Sequence, residues 1–124
     1  HVLSCLFYNS TKMLDLICNK AKTEINCNEL LSLALAIANP YAVMYFFKNC
    51  QNEKVLFETS AILRSLMNNN LYTLKKFMDG YMNQNKDKST DEIIKDFKDG
   101  LNDIGKYNDD EFIKFEKIVN ELKI

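Results

Sequence analysis

The stretch from Asn28 to Cys50 constrains the fold more than any other part of the chain. Its central 18 residues, Leu30 to Phe47, include no charged side chain, and Asn39-Pro40 interrupts them near the middle. Such a segment must be buried, whether in the protein core, around a ligand or in a membrane. A membrane-spanning helix needs about 20 predominantly apolar residues. Because Ser32 and Asn39-Pro40 fall inside the run, we expect it to form core and not a transmembrane segment.

Asn39-Pro40 divides this stretch into two predicted helices. Proline disfavours the helical conformation in the residue before it, but fits well at the first position of a new helix. The side chain of Asn39 can then cap that new helix. We therefore predict a second helix over Glu29–Ala38, capped by Asn28, and a third over Pro40–Lys48. A single kinked helix is the alternative.

Apolar residues recur at helical spacing along most of the remaining chain. One proline and three glycines are too few turn residues for a β-sandwich or barrel. The sequence therefore predicts an all-α fold, a single compact bundle of six to seven short helices. Three further helices are predicted over Val2–Lys20, Asn52–Asn68 and Leu71–Tyr81, with Met67 on the inner face of the second of these. Two more are predicted near the C-terminus. One starts at a Ser89–Glu92 capping box and extends to Leu101, and the other starts at Asn108 and extends to Leu122.

With 124 residues, the chain is long enough for one domain with its own core. We expect residues 1–82 to form apolar core helices, residues 83–88 a polar loop, and residues 89–124 amphipathic C-terminal helices. Alternating oxygen-bearing residues from Asn83 to Asp91 resemble part of an EF-hand calcium loop. Lys88 stands where that loop needs glycine, and Ile94 stands where it needs glutamate. The segment is therefore interpreted as a polar linker, and no calcium is predicted.

Four cysteines, all within the first fifty residues, indicate where the protein resides. An even number clustered in a small chain is typical of disulfides in a secreted or surface-exposed protein. Three pairings are possible, and a hairpin of the first two helices favours Cys18–Cys27 with Cys5–Cys50. Four free thiols in the cytoplasm are the alternative. Asn9 begins an Asn-Ser-Thr sequence and is a candidate glycosylation site.

The residues that the sequence lacks argue against several classes of function. The only histidine is His1, no cysteine pair has the two-residue spacing of redox or zinc motifs, and no glycine-rich phosphate loop exists. We therefore expect no enzymatic activity, metal or cofactor. The net charge is -1, with lysines and acidic residues interspersed, so a nucleic-acid partner is not expected. Arg64 could bind a carboxylate or phosphate, but it falls opposite the apolar side of its helix and is expected to face solvent.

Aromatic residues and methionines provide the candidate binding site. Such side chains line pockets for apolar ligands, although they can equally fill a helical core. The expected function is a secreted, non-enzymatic protein that encloses an apolar small molecule or lipid. The alternative is a helical protein–protein interaction module, cytokine-like or a host-interaction effector, with a solid core. The candidate ligand-binding residues are Tyr41, Met44, Tyr45, Phe47, Phe57 and Met67.

Overall fold

The computed structural model describes residues 27–49 and 54–123, which form six α-helices and, over these ranges, no strand. The helices are α1 (Cys27–Ala36), α2 (Pro40–Asn49), α3 (Thr59–Met67), α4 (Leu71–Gln84), α5 (Thr90–Asp103) and α6 (Asp109–Lys123). The all-α prediction is confirmed. The predicted helix over residues 2–20, the sequon at Asn9, and Cys5, Cys18 and Cys50 lie outside the described residues, so the disulfide pairing stays a prediction.

Three of the connections between helices share one backbone geometry. The second residue after each of α1, α3 and α5 adopts the left-handed conformation, with φ of 58° at Ala38, 56° at Asn69 and 67° at Gly105. The next residue then donates its N–H to a carbonyl five residues back in the helix, and the three bonds are Asn39 to Ala34, Asn70 to Ser65, and Lys106 to Leu101. This is the Schellman arrangement, which satisfies the last carbonyls of a helix while reversing the chain.

Asn39 ends α1 and also begins α2. Its N–H donates to the Ala34 carbonyl at 3.0 Å, and its side-chain Oδ1 accepts the Ala42 N–H at 3.1 Å. The prediction of two helices with an Asn39 cap is therefore confirmed over a single kinked helix. α1 ends at Ala36, earlier than the predicted Ala38, because Ala38 occupies the left-handed turn position.

The core lies where the helices meet in pairs. α2 packs mainly against α1 and α4, α5 pairs with α6, and α3 contacts both groups. An aromatic cluster of Phe57, Tyr81, Phe97 and Phe115 links α4 to the α5–α6 pair. Its ring centroids are 4.2 Å apart for Phe97 and Phe115 and 5.4 Å apart for Phe57 and Tyr81. The largest fully buried side chains are Phe46, Phe77, Phe97, Phe115, Leu31, Leu35, Ile62, Leu66, Leu74 and Met78.

The predicted helix over Asn52–Asn68 is wrong at its start, because α3 begins only at Thr59. Residues 54–58 have no regular secondary structure. Asn28 donates from Nδ2 to the Lys54 carbonyl at 3.0 Å and accepts the Leu56 N–H through Oδ1 at 2.8 Å. Those side-chain bonds replace the helical bonds that the segment would otherwise make. The predicted capping role of Asn28 is also wrong, because α1 already includes Cys27. The Asn28 side chain forms its hydrogen bonds with the backbone of Lys54 and Leu56 instead.

The C-terminal helices begin as predicted. At α5, Ser89 Oγ accepts the Glu92 N–H and the Glu92 carboxylate accepts the Ser89 N–H, both at 3.1 Å, which completes the capping box. Before α6, the Asn108 side chain accepts the Asp110 N–H at 2.9 Å. α4 continues to Gln84, so the turn between α4 and α5 begins later than the predicted loop.

Two helical glycines allow close contacts between neighbouring elements. A methyl group at Gly80 in α4 would lie 2.6 Å from ring carbons of Phe47 in α2. A methyl group at Gly100 in α5 would overlap the side chain of Thr59 at the start of α3. Real carbon contacts are never this short, so glycine sets the spacing of both helix pairs.

Candidate interaction surface on α2

The structure places the six predicted site residues in four different locations. Tyr41, Met44 and Tyr45 lie together on the outer side of α2. Phe47 lies on another side of the same helix, with its ring 5.8 Å from that of Phe77. Phe57 belongs to the aromatic cluster, and Met67 is the last residue of α3. Only the first three therefore belong to a common surface.

We call Tyr41, Met44, Tyr45 and Lys48 the α2 stripe. Their spacing of i, i+3, i+4 and i+7 places them on one face of a helix, one above the other. They line a surface groove of about 240 Å³. Tyr41 is 54% exposed and Met44 is 48% exposed, whereas Tyr45 is buried at the inner edge of the stripe. The stripe is therefore an aromatic and thioether surface with an ammonium group at its C-terminal end.

The opposite side of α2 is fully committed to the core. Ala42, Val43 and Phe46 are each no more than 1% exposed, on a helix that packs against α1 and α4. α2 is therefore apolar both toward the core and toward solvent. Burial in the core explains why Ala42, Val43 and Phe46 are apolar, but it does not require apolar residues at Tyr41 and Met44.

Met67 is exposed, contrary to its predicted position on the inner face of its helix. It is 63% exposed, whereas the preceding Leu66 is fully buried. Consecutive residues are about 100° apart around a helix, so a residue next to the centre of a buried face points away from it. Arg64 on the same helix is exposed, as predicted.

Sequence reasoning missed Lys48 as a member of the α2 stripe. It closes the groove at the end of α2, where a cation also interacts favourably with the helix dipole. The spacing of the four residues is visible in the sequence, but burial in the core accounts equally well for aromatic residues at this spacing. Only the exposure of Tyr41 and Met44 distinguishes the two faces.

Two titratable groups with shifted pKa values lie in the C-terminal half. The pKa of Lys88 is raised above its usual 10.5, chiefly because its Nζ donates a hydrogen bond to Asp96 at 2.6 Å. A hydrogen bond with Asp109 likewise raises the pKa of Tyr107. Both groups lie on the surface in or beside α5 and α6, and neither is part of the α2 stripe.

Neither a family model, nor a curated protein, nor a solved structure matches the chain. Among the described helices, none is both long and apolar enough to cross a membrane. Over the same residues, no group of three or more histidine, cysteine, aspartate or glutamate side chains could hold a metal ion.

Proposed function

We propose that this protein is a helical interaction module that binds a partner helix along the α2 stripe. The observation that supports the proposal is the exposure of Tyr41 and Met44, 54% and 48%, on a helix whose opposite face is buried. Aromatic residues and methionine are enriched at protein interfaces, where they supply large contact areas. Anchors at i, i+3, i+4 and i+7 are the arrangement by which one helix packs along another.

The expected partner is an amphipathic helix with an acidic residue near one end of its apolar face. Fully burying a methionine or similar side chain contributes about 1.5–3 kcal/mol, so covering the half-exposed Tyr41 and Met44 would contribute roughly half of that each. A carboxylate placed against Lys48 would add about 0.2–1 kcal/mol. These contributions total about 2–4 kcal/mol, which is less than the entropic cost of association, so a stable contact must extend beyond the stripe.

The second candidate is a carrier of an apolar small molecule, as the sequence first suggested. One observation favours it: the stripe lines a groove whose apolar length ends at the Lys48 ammonium. A fatty acid or similar anionic amphiphile would match that arrangement. The groove, however, has a volume of only about 240 Å³, whereas typical ligand pockets have about 300–1,000 Å³. For this reason we favour the interaction module.

A matched pair of double variants tests the proposal. Tyr41→Ser with Met44→Ser removes the stripe, and Tyr72→Ser with Met67→Ser is the control, because Tyr72 and Met67 are 62% and 63% exposed elsewhere. A photo-crosslinking residue at position 41 should capture a partner protein that binds wild type and control equally. The stripe variant should bind that purified partner at least tenfold more weakly by calorimetry.

Three results would count against the interaction module. Equal binding by the stripe variant and the control would place the contact elsewhere. Crosslinks from position 41 only to residues 2–20 of the same chain would mean that the protein covers its own stripe. Saturable binding of a fatty acid that the stripe variant loses, without a protein partner, would favour the carrier.

A secreted or cell-surface setting remains part of the proposal and is supported by the cysteine pattern alone. Its test is a count of free thiols in the native protein with and without reductant. Two disulfides predict no reactive thiol before reduction, whereas the cytoplasmic alternative predicts four. Peptide mapping without reduction would then identify the pairing, which we expect to be Cys5–Cys50 and Cys18–Cys27.

A further inference from the structure

A second groove lies between the start of α1 and the irregular segment of residues 54–58. It has a volume of about 570 Å³ and is lined by Asn28, Glu29, Ser32, Leu33, Leu56 and Glu58. Its size is within the range of known ligand sites, about 300–1,000 Å³. None of these residues belongs to the α2 stripe, so the two surfaces are independent.

The wall formed by residues 54–58 is held in place by side chains from two helices. Asn28 bonds to both Lys54 and Leu56, and Gln84 accepts the Val55 N–H through its Oε1 at 3.0 Å. Val55 is 4% exposed and Phe57 joins the aromatic cluster, so the residues on either side of Leu56 point inward. Leu56 consequently projects outward and is 57% exposed. The groove is preorganised and presents an apolar side chain to solvent.

The chemistry of the lining is apolar with acidic edges. Leu33 and Leu56 provide the apolar surface, and the charged side chains among the described lining residues, Glu29 and Glu58, are both acidic. Both glutamates are exposed. We propose that this groove binds a short basic peptide segment in which lysine or arginine alternates with apolar residues. The apolar side chains would cover Leu33 and Leu56, and the cations would pair with Glu29 and Glu58.

An extended peptide fits this arrangement because successive side chains in an extended chain point to opposite sides. Alternation therefore directs the apolar side chains into the groove and the basic side chains away from its floor. Lysine and arginine are long enough to reach back from there to the carboxylates of Glu29 and Glu58. Each exposed ion pair is weak, so charge should set the preference among peptides and contribute about a fivefold to tenfold change in affinity when both carboxylates are removed. For the same reason, binding should weaken as salt is added.

The test is an NMR titration of the ¹⁵N-labelled full chain with two peptides, one alternating lysine and leucine and one alternating glutamate and leucine. The lysine peptide should shift the amides of Glu29, Leu33 and Leu56, and the glutamate peptide should not. Glu29→Gln with Glu58→Gln should weaken the lysine peptide about fivefold to tenfold. The charge-matched control, Asp99→Asn with Asp103→Asn on the exposed side of α5, should leave its affinity unchanged.

Equal binding of the two peptides, or equal weakening by the groove variant and its control, would overturn the proposal by showing non-specific attraction. Shifts confined to Tyr41 and Met44 would assign the peptide to the α2 stripe and would also overturn it. Leu56→Ser supplies a variant independent of charge, and because Leu56 is exposed, folding should be retained. Undiminished binding by this variant would exclude the proposed contact between Leu56 and the apolar side chains of the peptide.

Discussion

Replacing Asn28 with alanine should loosen the irregular segment that separates α2 from α3. The substitution removes the bonds of 3.0 Å to the Lys54 carbonyl and 2.8 Å from the Leu56 N–H. Each hydrogen bond contributes about 1 kcal/mol net, and alanine regains up to about 0.7 kcal/mol of helix propensity in α1. Because the bonds are exposed and water can replace them, we expect a loss of about 1 kcal/mol in the free energy of unfolding by urea.

Hydrogen exchange at Leu56 gives the sharper measurement, because it reports on the segment itself. A loss of about 1 kcal/mol should speed exchange of the Leu56 amide about fivefold, with a smaller effect at Val55, whose N–H is held by Gln84. Asn102→Ala, at an exposed helical position in α5, is the control and should be neutral or slightly stabilising. Unchanged exchange at Leu56 would refute the role assigned to Asn28.

Three further predictions concern individual contacts. Gly100→Ala should destabilise the fold by about 1 kcal/mol, because overlap with Thr59 outweighs the helix propensity gained; a gain in stability measured by urea would contradict the contact. Ala38→Gly should raise stability by up to about 1 kcal/mol, since glycine adopts the left-handed turn without strain, and a lower Tm would show otherwise. Lys88→Met should lower Tm at neutral pH by removing the bond to Asp96. Because the pKa of Lys88 is raised, this difference in Tm should be constant from neutral pH to about pH 10.5 and should shrink as pH rises through the folded-state pKa; a constant difference there would contradict it.

Local features of the sequence predicted the described helices well. The Asn39 cap before Pro40 and the Ser89–Glu92 box depend on residues next to one another in the chain, and the structure contains both. The start of α3 could not be predicted in this way. Residues 54–58 are non-helical because Asn28 and Gln84, each at least 26 residues away, bond to their backbone. Such a partner leaves no trace in the local pattern of apolar residues.

The candidate surfaces, too, were only partly predictable from the sequence. Helical spacing groups Tyr41 with Met44 and Tyr45 in advance, but it cannot tell an inner from an outer face when both are apolar. The groove beside Leu56 depends on the non-helical segment, so a sequence interpreted as continuous helix conceals it. Phe57 and Met67 were predicted to share a site with the aromatic residues of α2, yet one lies in the aromatic cluster and the other in solvent.

Phe57 connects the groove beside Leu56 to the C-terminal half of the molecule. Its ring centroid lies 6.4 Å from that of Phe97 in α5 and 6.2 Å from that of Phe115 in α6. Leu56, the adjacent residue, faces the groove. Because Phe57 packs against rings from both helices, a ligand that stabilises this segment should, by thermodynamic linkage, also stabilise those contacts with α5 and α6. Occupancy of the groove would then be measurable at a distance, as slower exchange of amides in two helices that the ligand never touches.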